Sequence, residues 1–194
     1  LGALHPAISD AIRAFIEAQH LFFVATATAE GRINLSPKGM DSFRVMGANQ
    51  AAFLNFTGSG NETAAHLLAD ANANQPSGGR ITIMFCSFDA KPKILRLYGR
   101  GVAIHAEEAG WKESIALFPH FQTHPGVRQV IRIDVESVLE SCGFAVPQYT
   151  YVAERDKLLT WAEKSGAEGV AAYQRKRNAI SLDGLATRAE TEPE

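Results

Sequence analysis

The sequence predicts a mainly β fold with flanking helices (α+β), in which six or seven short antiparallel strands close or nearly close into a barrel. Three observations carry this. Apolar runs rich in β-branched and aromatic residues recur at short intervals, as in Leu21–Thr28, Ala51–Phe56 and Arg80–Phe88. Tight turn signals such as Ala29-Glu30-Gly31 and Asp89-Ala90-Lys91-Pro92 separate them. No regular β-α-β alternation occurs, which argues against a doubly wound parallel sheet.

The elements follow in order. After Pro6, residues Ala7, Ile8, Ala11, Ile12, Phe15 and Ile16 fall at helical spacing over 7–19. Leu21–Thr28 and Arg32–Ser36 form a hairpin, and Pro37, lacking an N–H, ends its ladder. Phe43–Met46 and Ala51–Phe56 are strands around Gly47-Ala48-Asn49, and a helix runs from Asn61 to Ala71. The low-complexity stretch 72–79 reads as a loop. Arg80–Phe88 is a strong strand, and Lys93–His105 is a long one interrupted by Gly99 and Gly101. Glu107–Leu117 is a short helix, Val127–Leu139 alternates as a last strand, and 141–151 is irregular. Arg155–Lys164 and Gly169–Ala179 are helical, and the acidic, polar end from Thr187 reads as disordered.

Composition narrows the function. The 194 residues are 46% hydrophobic and 21% charged, ordinary for a globular domain with a real core. A net charge of −2 and a pI of about 6.3 provide no basic field, so neither nucleic acid nor an anionic membrane surface is an expected partner. No run approaches the ~18 apolar residues of a membrane span, and the segment Leu1–Pro6 does not read as a signal peptide. Cys86 and Cys142 lack ligand spacing, so reduced thiols and a cytoplasmic location are expected. The pair His120 and His124 has i, i+4 spacing, but prolines bracket it and no metal site is expected there.

The most pointed segment is Asn55-Phe56-Thr57-Gly58-Ser59-Gly60-Asn61-Glu62-Thr63: a strand, a polar glycine turn and a helix start. Free N–H groups at such a start favour an anion, so the segment reads as a phosphate cradle. Ser59-x-x-Glu62 also reads as a capping box, which would use the same donors.

Five blocks now stand in order: Arg32–Asp41, Gly58–Leu67, Arg80–Phe88, Leu95–Gly99 and Ser141–Pro147. Together they resemble the pyridoxamine 5′-phosphate oxidase-like family of FMN-binding split barrels, over roughly residues 15–165. The resemblance implies a six- to seven-stranded antiparallel split barrel that forms a homodimer, with FMN in clefts between subunits. It implies that Asn34, Leu35, Ser36, Pro37 and Lys38 run beside the flavin ring, and that Phe56, Thr57, Asn61, Glu62 and Thr63 meet the ribityl chain and phosphate. It further implies that residues 1–165 form the FMN-binding domain, 166–186 a C-terminal helical extension and 187–194 a tail. Where the oxidases proper carry a basic pair for the phosphate, this chain has Glu62-Thr63, and Ile94 replaces their glutamine. Replacement charge could come from Lys38, Arg44, Arg80 or Arg96. Arg96 suits either an FMN phosphate or an ion pair at a dimer interface.

Two functions are then expected to compete. The first is an FMN-dependent oxidoreductase passing a hydride through flavin N5, acting on a small-molecule substrate or electron donor other than pyridoxamine phosphate. The alternative is a non-catalytic flavin- or haem-binding carrier or sensor on the same barrel.

Overall fold

The computed structural model describes residues 2–74 and 78–189. Its elements are β1 (Ala3–His5), α1 (Asp10–Glu17), β2 (Phe22–Thr26), β3 (Asn34–Lys38), β4 (Phe43–Gly47), β5 (Gln50–Phe56), α2 (Glu62–Asn74), β6 (Gly79–Cys86), β7 (Ile94–Ile104), α3 (Trp111–Ile115), β8 (Val127–Ser141) and α4 (Lys157–Arg177). The strands form one antiparallel sheet in the order β3-β2-β6-β7-β8-β5-β4, with β1 paired to the last residues of β8. Strands β3 and β4 are consecutive in the chain yet form the two edges without pairing, so the barrel is split between them. The fold is the antiparallel split barrel expected, with one strand more. That extra strand, β1, is too short to announce itself by alternation.

Alternation explains the core. Phe22 and Val24, Ile83 and Phe85, Leu95 and Leu97, Phe53, Ile131 and Ile133 fill the main core, closed at one end by Ile8, Ile12 and Ile16 around α1. The opposite faces of β5 and β8 are covered as well. There Ala52, Leu54, Phe56 and Val130 pack with Ile115 and Phe118. Strands buried on both faces read as continuous apolar runs, which is how β5 looks in the sequence. Helix α2 lies directly on β6: a Cβ on Gly79 would sit 2.5 Å from the Leu67 Cα, so only glycine permits this approach.

Several boundaries differ from the sequence reading. Helix α2 continues to Asn74, into the stretch expected as loop, and residues 75–77 lie outside the described residues. Helix α3 is shorter than Glu107–Leu117, because Glu108 accepts from the His105 N–H and holds 105–108 in a turn. The two expected C-terminal helices meet within α4 at Gly166, where φ of 65° and ψ of 174° break the helical path. The disordered tail expected from Thr187 is not seen at its start. Thr187 is buried and its hydroxyl donates to the Asn178 carbonyl (2.7 Å), while Arg188 pairs with Glu107. The remainder, 190–194, lies outside the described residues.

Candidate functional site

Strand register sorts the β3 residues onto two faces. Asn34, Ser36 and Lys38 stand opposite Thr26, Val24 and Phe22, and so share the inner face of the sheet. Leu35 and Pro37 stand opposite Ala25 and Phe23 on the outer face. Arg96 lies in the row Pro37, Phe23, Met84, Arg96, and so belongs to that outer face as well.

The inner-face residues form one polar cluster at the split. Asn34 Nδ2 donates to the hydroxyls of Thr26 and Thr63, both 3.1 Å away, and its Oδ1 accepts from Ser36 (2.8 Å). Thr26 Oγ1 lies 3.2 Å from His66 Nδ1, and His66 Nε2 is buried without a partner. Lys38 Nζ donates to Asn55 Oδ1 (3.1 Å), bridging edge strand β3 to β5 across the opening. Behind Asn55, Asn61 and the fully buried Gln129 exchange hydrogen bonds of 2.9 and 3.4 Å.

The electrostatics centre on Lys38. Burial, and then the Arg128 guanidinium nearby, lower its ammonium from the ordinary 10.5 to about 8. Its hydrogen-bond acceptor is a neutral amide, and among the described residues no carboxylate lies within ion-pair distance of it. The turn that follows Lys38 is constrained. Met40 and Asp41 both take positive φ (65° and 51°), the Met40 N–H donates to Glu154, and Ser42 donates to the Gly39 carbonyl.

The glycine turn is gripped by the C-terminal segment. Gln174 Nε2 donates to Thr57 Oγ1 (2.8 Å), Asn178 Nδ2 to the Gly58 carbonyl (3.0 Å), and Arg128 Nη1 to the Gly60 carbonyl (3.0 Å). Glu62 does not close a capping box with Ser59. Its carboxylate accepts the Leu182 N–H at 3.1 and 3.2 Å, and α2 begins at Glu62 with Ala65 N–H donating to Asn61. Asp183, next in that segment, pairs with Arg32, whose N–H and side chain hold its carboxyl below the usual range.

The sequence-predicted residues therefore divide. Asn34, Ser36, Lys38, Asn61 and Thr63 come together in the polar cluster or its direct extension, with Thr57 and Glu62 on the adjoining turn. Phe56 points away, stacking edge-on to Phe121 at 5.0 Å in the second core. Leu35, Pro37 and Arg96 stay on the outer face, where Arg96 donates to Ser141 (3.1 Å). Arg44 is paired with Asp41 and Arg80 with Asp70, so of the four candidate cations only Lys38 reaches the cluster. The irregular stretch 142–149 is no buried connector: Phe144 and Tyr149 are exposed, although the Tyr149 N–H donates to Phe88. Both cysteines are free thiols, Cys86 buried and Cys142 exposed. Among the described residues no group of three or more ligating side chains could hold a metal, and no helix is long and apolar enough to cross a membrane.

Sequence reasoning missed Asn55, Arg128, Gln129 and Asn178. Arg128-Gln129 was the available signal, since two adjacent polar residues interrupt the apolar strand β8.

Comparisons with known proteins agree with this architecture. A family model described as pyridoxamine 5′-phosphate oxidase matches residues 8–142. The pyridoxamine 5′-phosphate oxidase family protein ustO of Aspergillus flavus is 36% identical over 200 residues, covering 93% of this chain and 76% of that protein. Two crystal forms of HupZ from Group A Streptococcus superpose with TM-scores of 0.54 and 0.52 at 20% and 21% identity. They cover 69% and 68% of this chain and 99% and 91% of theirs, and they show a shared fold. The chain belongs to the pyridoxamine 5′-phosphate oxidase family.

Proposed function

We propose that the chain binds FMN at the polar split of the barrel and works as a flavin-dependent oxidoreductase on a small molecule. The observation that carries this reading is Lys38. A half-buried ammonium with a neutral amide for its partner favours an anionic or electron-rich ligand beside it.

The neighbouring groups suit such a ligand. Ser36 and Asn34 offer hydrogen-bonding groups along one strand, while Thr57, Asn61 and Thr63 line the turn and helix start. Glu62 has the wrong sign for a phosphate, but its carboxylate is drawn to the Leu182 N–H. On this reading Asn34, Ser36 and Lys38 orient the ring, and Thr57, Asn61 and Thr63 hold the ribityl and phosphate end. FMN, when bound, supplies a hydride acceptor at N5. Lys38 offsets negative charge on the ring, and the packed side chains behind the cluster exclude water. Pyridoxamine phosphate is a poor fit as substrate, because Glu62 and Thr63 stand where the oxidases proper carry their basic pair.

The proposal extends to a homodimer with FMN between subunits. Ile33 and Leu35 on the outer face of β3 are 77% and 64% exposed, and an apolar edge of this kind is suited to covering by a second copy. Leu35, Pro37 and Arg96 would then serve the partner-facing side.

The test is a visible spectrum of the purified chain and an FMN titration followed by flavin fluorescence. Turnover with reduced nicotinamide is then measured. One saturable FMN per chain with donor-dependent turnover is expected. Saturable binding without turnover would favour the carrier reading, and absence of binding would contradict the proposal.

A further inference from the structure

Behind the glycine turn, on the opposite face of β8 from Gln129, lies a second cavity of about 470 Å³. It is walled by β8, by residues 105–107, by the end of α4 and by the segment carrying Thr187 and Arg188. Its ionisable lining is one-sided. Arg128, Arg175 and Arg188 face a single carboxylate, Glu107, so two positive charges stand unmatched. His105 does not add to the deficit near neutral pH, because burial and the Arg188 charge lower its titration.

Arg128 is the informative member. It is 8% exposed, and its hydrogen bonds run from Nη1 to two neutral acceptors, the Gly60 carbonyl (3.0 Å) and Asn178 Oδ1 (2.7 Å). Its Nε is buried without a partner, and among the described residues no carboxylate lies within ion-pair distance. An uncompensated buried guanidinium is costly, and burial alone depresses Arg128 to about 10. Pinning the glycine turn would need only the Nη1 bonds. A purely structural role leaves unexplained why a cavity with further arginines opens beside the unused donor.

We propose that this cavity binds a small dianionic oxyanion, a phosphate monoester or inorganic phosphate, held by Arg128 at its base and by Arg175 and Arg188 at its rim. Guanidinium forks match tetrahedral oxyanions, and a dianion would neutralise the two unmatched charges. The site is separate from the split where FMN is proposed, since β8 lies between them and Lys38 does not line it.

Calorimetric titration of the full chain with inorganic phosphate tests this. Saturable binding of one phosphate per chain is expected. The double variant Arg175→Gln/Arg188→Gln, which changes only rim residues and spares the fold, weakens it at least about tenfold. Lys38→Met leaves it within about threefold, since it removes no donor of this cavity. An Arg128→Met variant that still folds abolishes binding. No saturable binding below about 10 mM phosphate overturns the proposal, a limit well above the affinities expected of a built site. So does binding that the rim variant leaves intact, or that Lys38→Met removes, because phosphate would then be using the other site.

Discussion

Lys38 and Arg96 are both cations in short strands, and the sequence offers either as the charge for a flavin. Register separates them: Lys38 faces inward, into a cluster of amides and hydroxyls, and Arg96 faces outward toward Ser141. The inner cation is desolvated and lacks a carboxylate, while the outer one is half-exposed. The side of a strand, more than the type of residue, decides whether a charge is costly. A cation held at a cost in stability is the better candidate for a ligand contact.

The largest effect that would sharpen this comparison comes from removing the inner charge. Lys38→Met should stabilise the ligand-free protein by about 2 kcal/mol in denaturant unfolding, because an apolar side chain replaces a buried unmatched charge. The same residue sets a pH dependence. Below about pH 8, Lys38 is protonated in both folded and unfolded chains, and its burial cost is fully present. Between about 8 and 10.5 the folded chain has released a proton that the unfolded chain keeps, so this contribution raises stability with pH. In Lys38→Met that rise should vanish, as urea midpoints across the window will show. A rise that persists would assign it to another group.

Next in size is Asn34→Ala. It removes the amide joining Thr26, Thr63 and Ser36, and should cost about 1.5 kcal/mol, read from the shift in unfolding midpoint. A smaller effect concerns charge sign. Glu62→Gln should tighten FMN binding about two- to fivefold, since it removes a negative charge next to the proposed phosphate end. Weakened binding would instead make Glu62 part of the cradle. Smallest is Arg96→Met on the outer face, where stability should change by less than about 0.5 kcal/mol.

Much of the architecture was legible. Apolar alternation and turn residues marked the strands from β2 to β8, because burial on one or both faces imposes those patterns directly. Strand β1 was not visible, since three residues carry no period and its pairing depends on the far end of β8. The site was legible only in part. Asn34, Ser36 and Lys38 stood out in a family-like block. The partners that give them meaning, Asn55 and Arg128, come from strands distant in sequence, and no local pattern links them. The capping box failed for a similar reason. Leu182, 120 residues away, competes for the Glu62 carboxylate and wins it.

The central claim is that the inner face of β3 holds the flavin. Side-by-side FMN titrations of the native chain, Lys38→Met and Arg96→Met, followed by flavin fluorescence at neutral pH, test it most directly. The account predicts a loss of affinity of at least about tenfold for Lys38→Met and less than about twofold for Arg96→Met. Equal affinities in the native chain and Lys38→Met, or a larger loss in Arg96→Met, would contradict it.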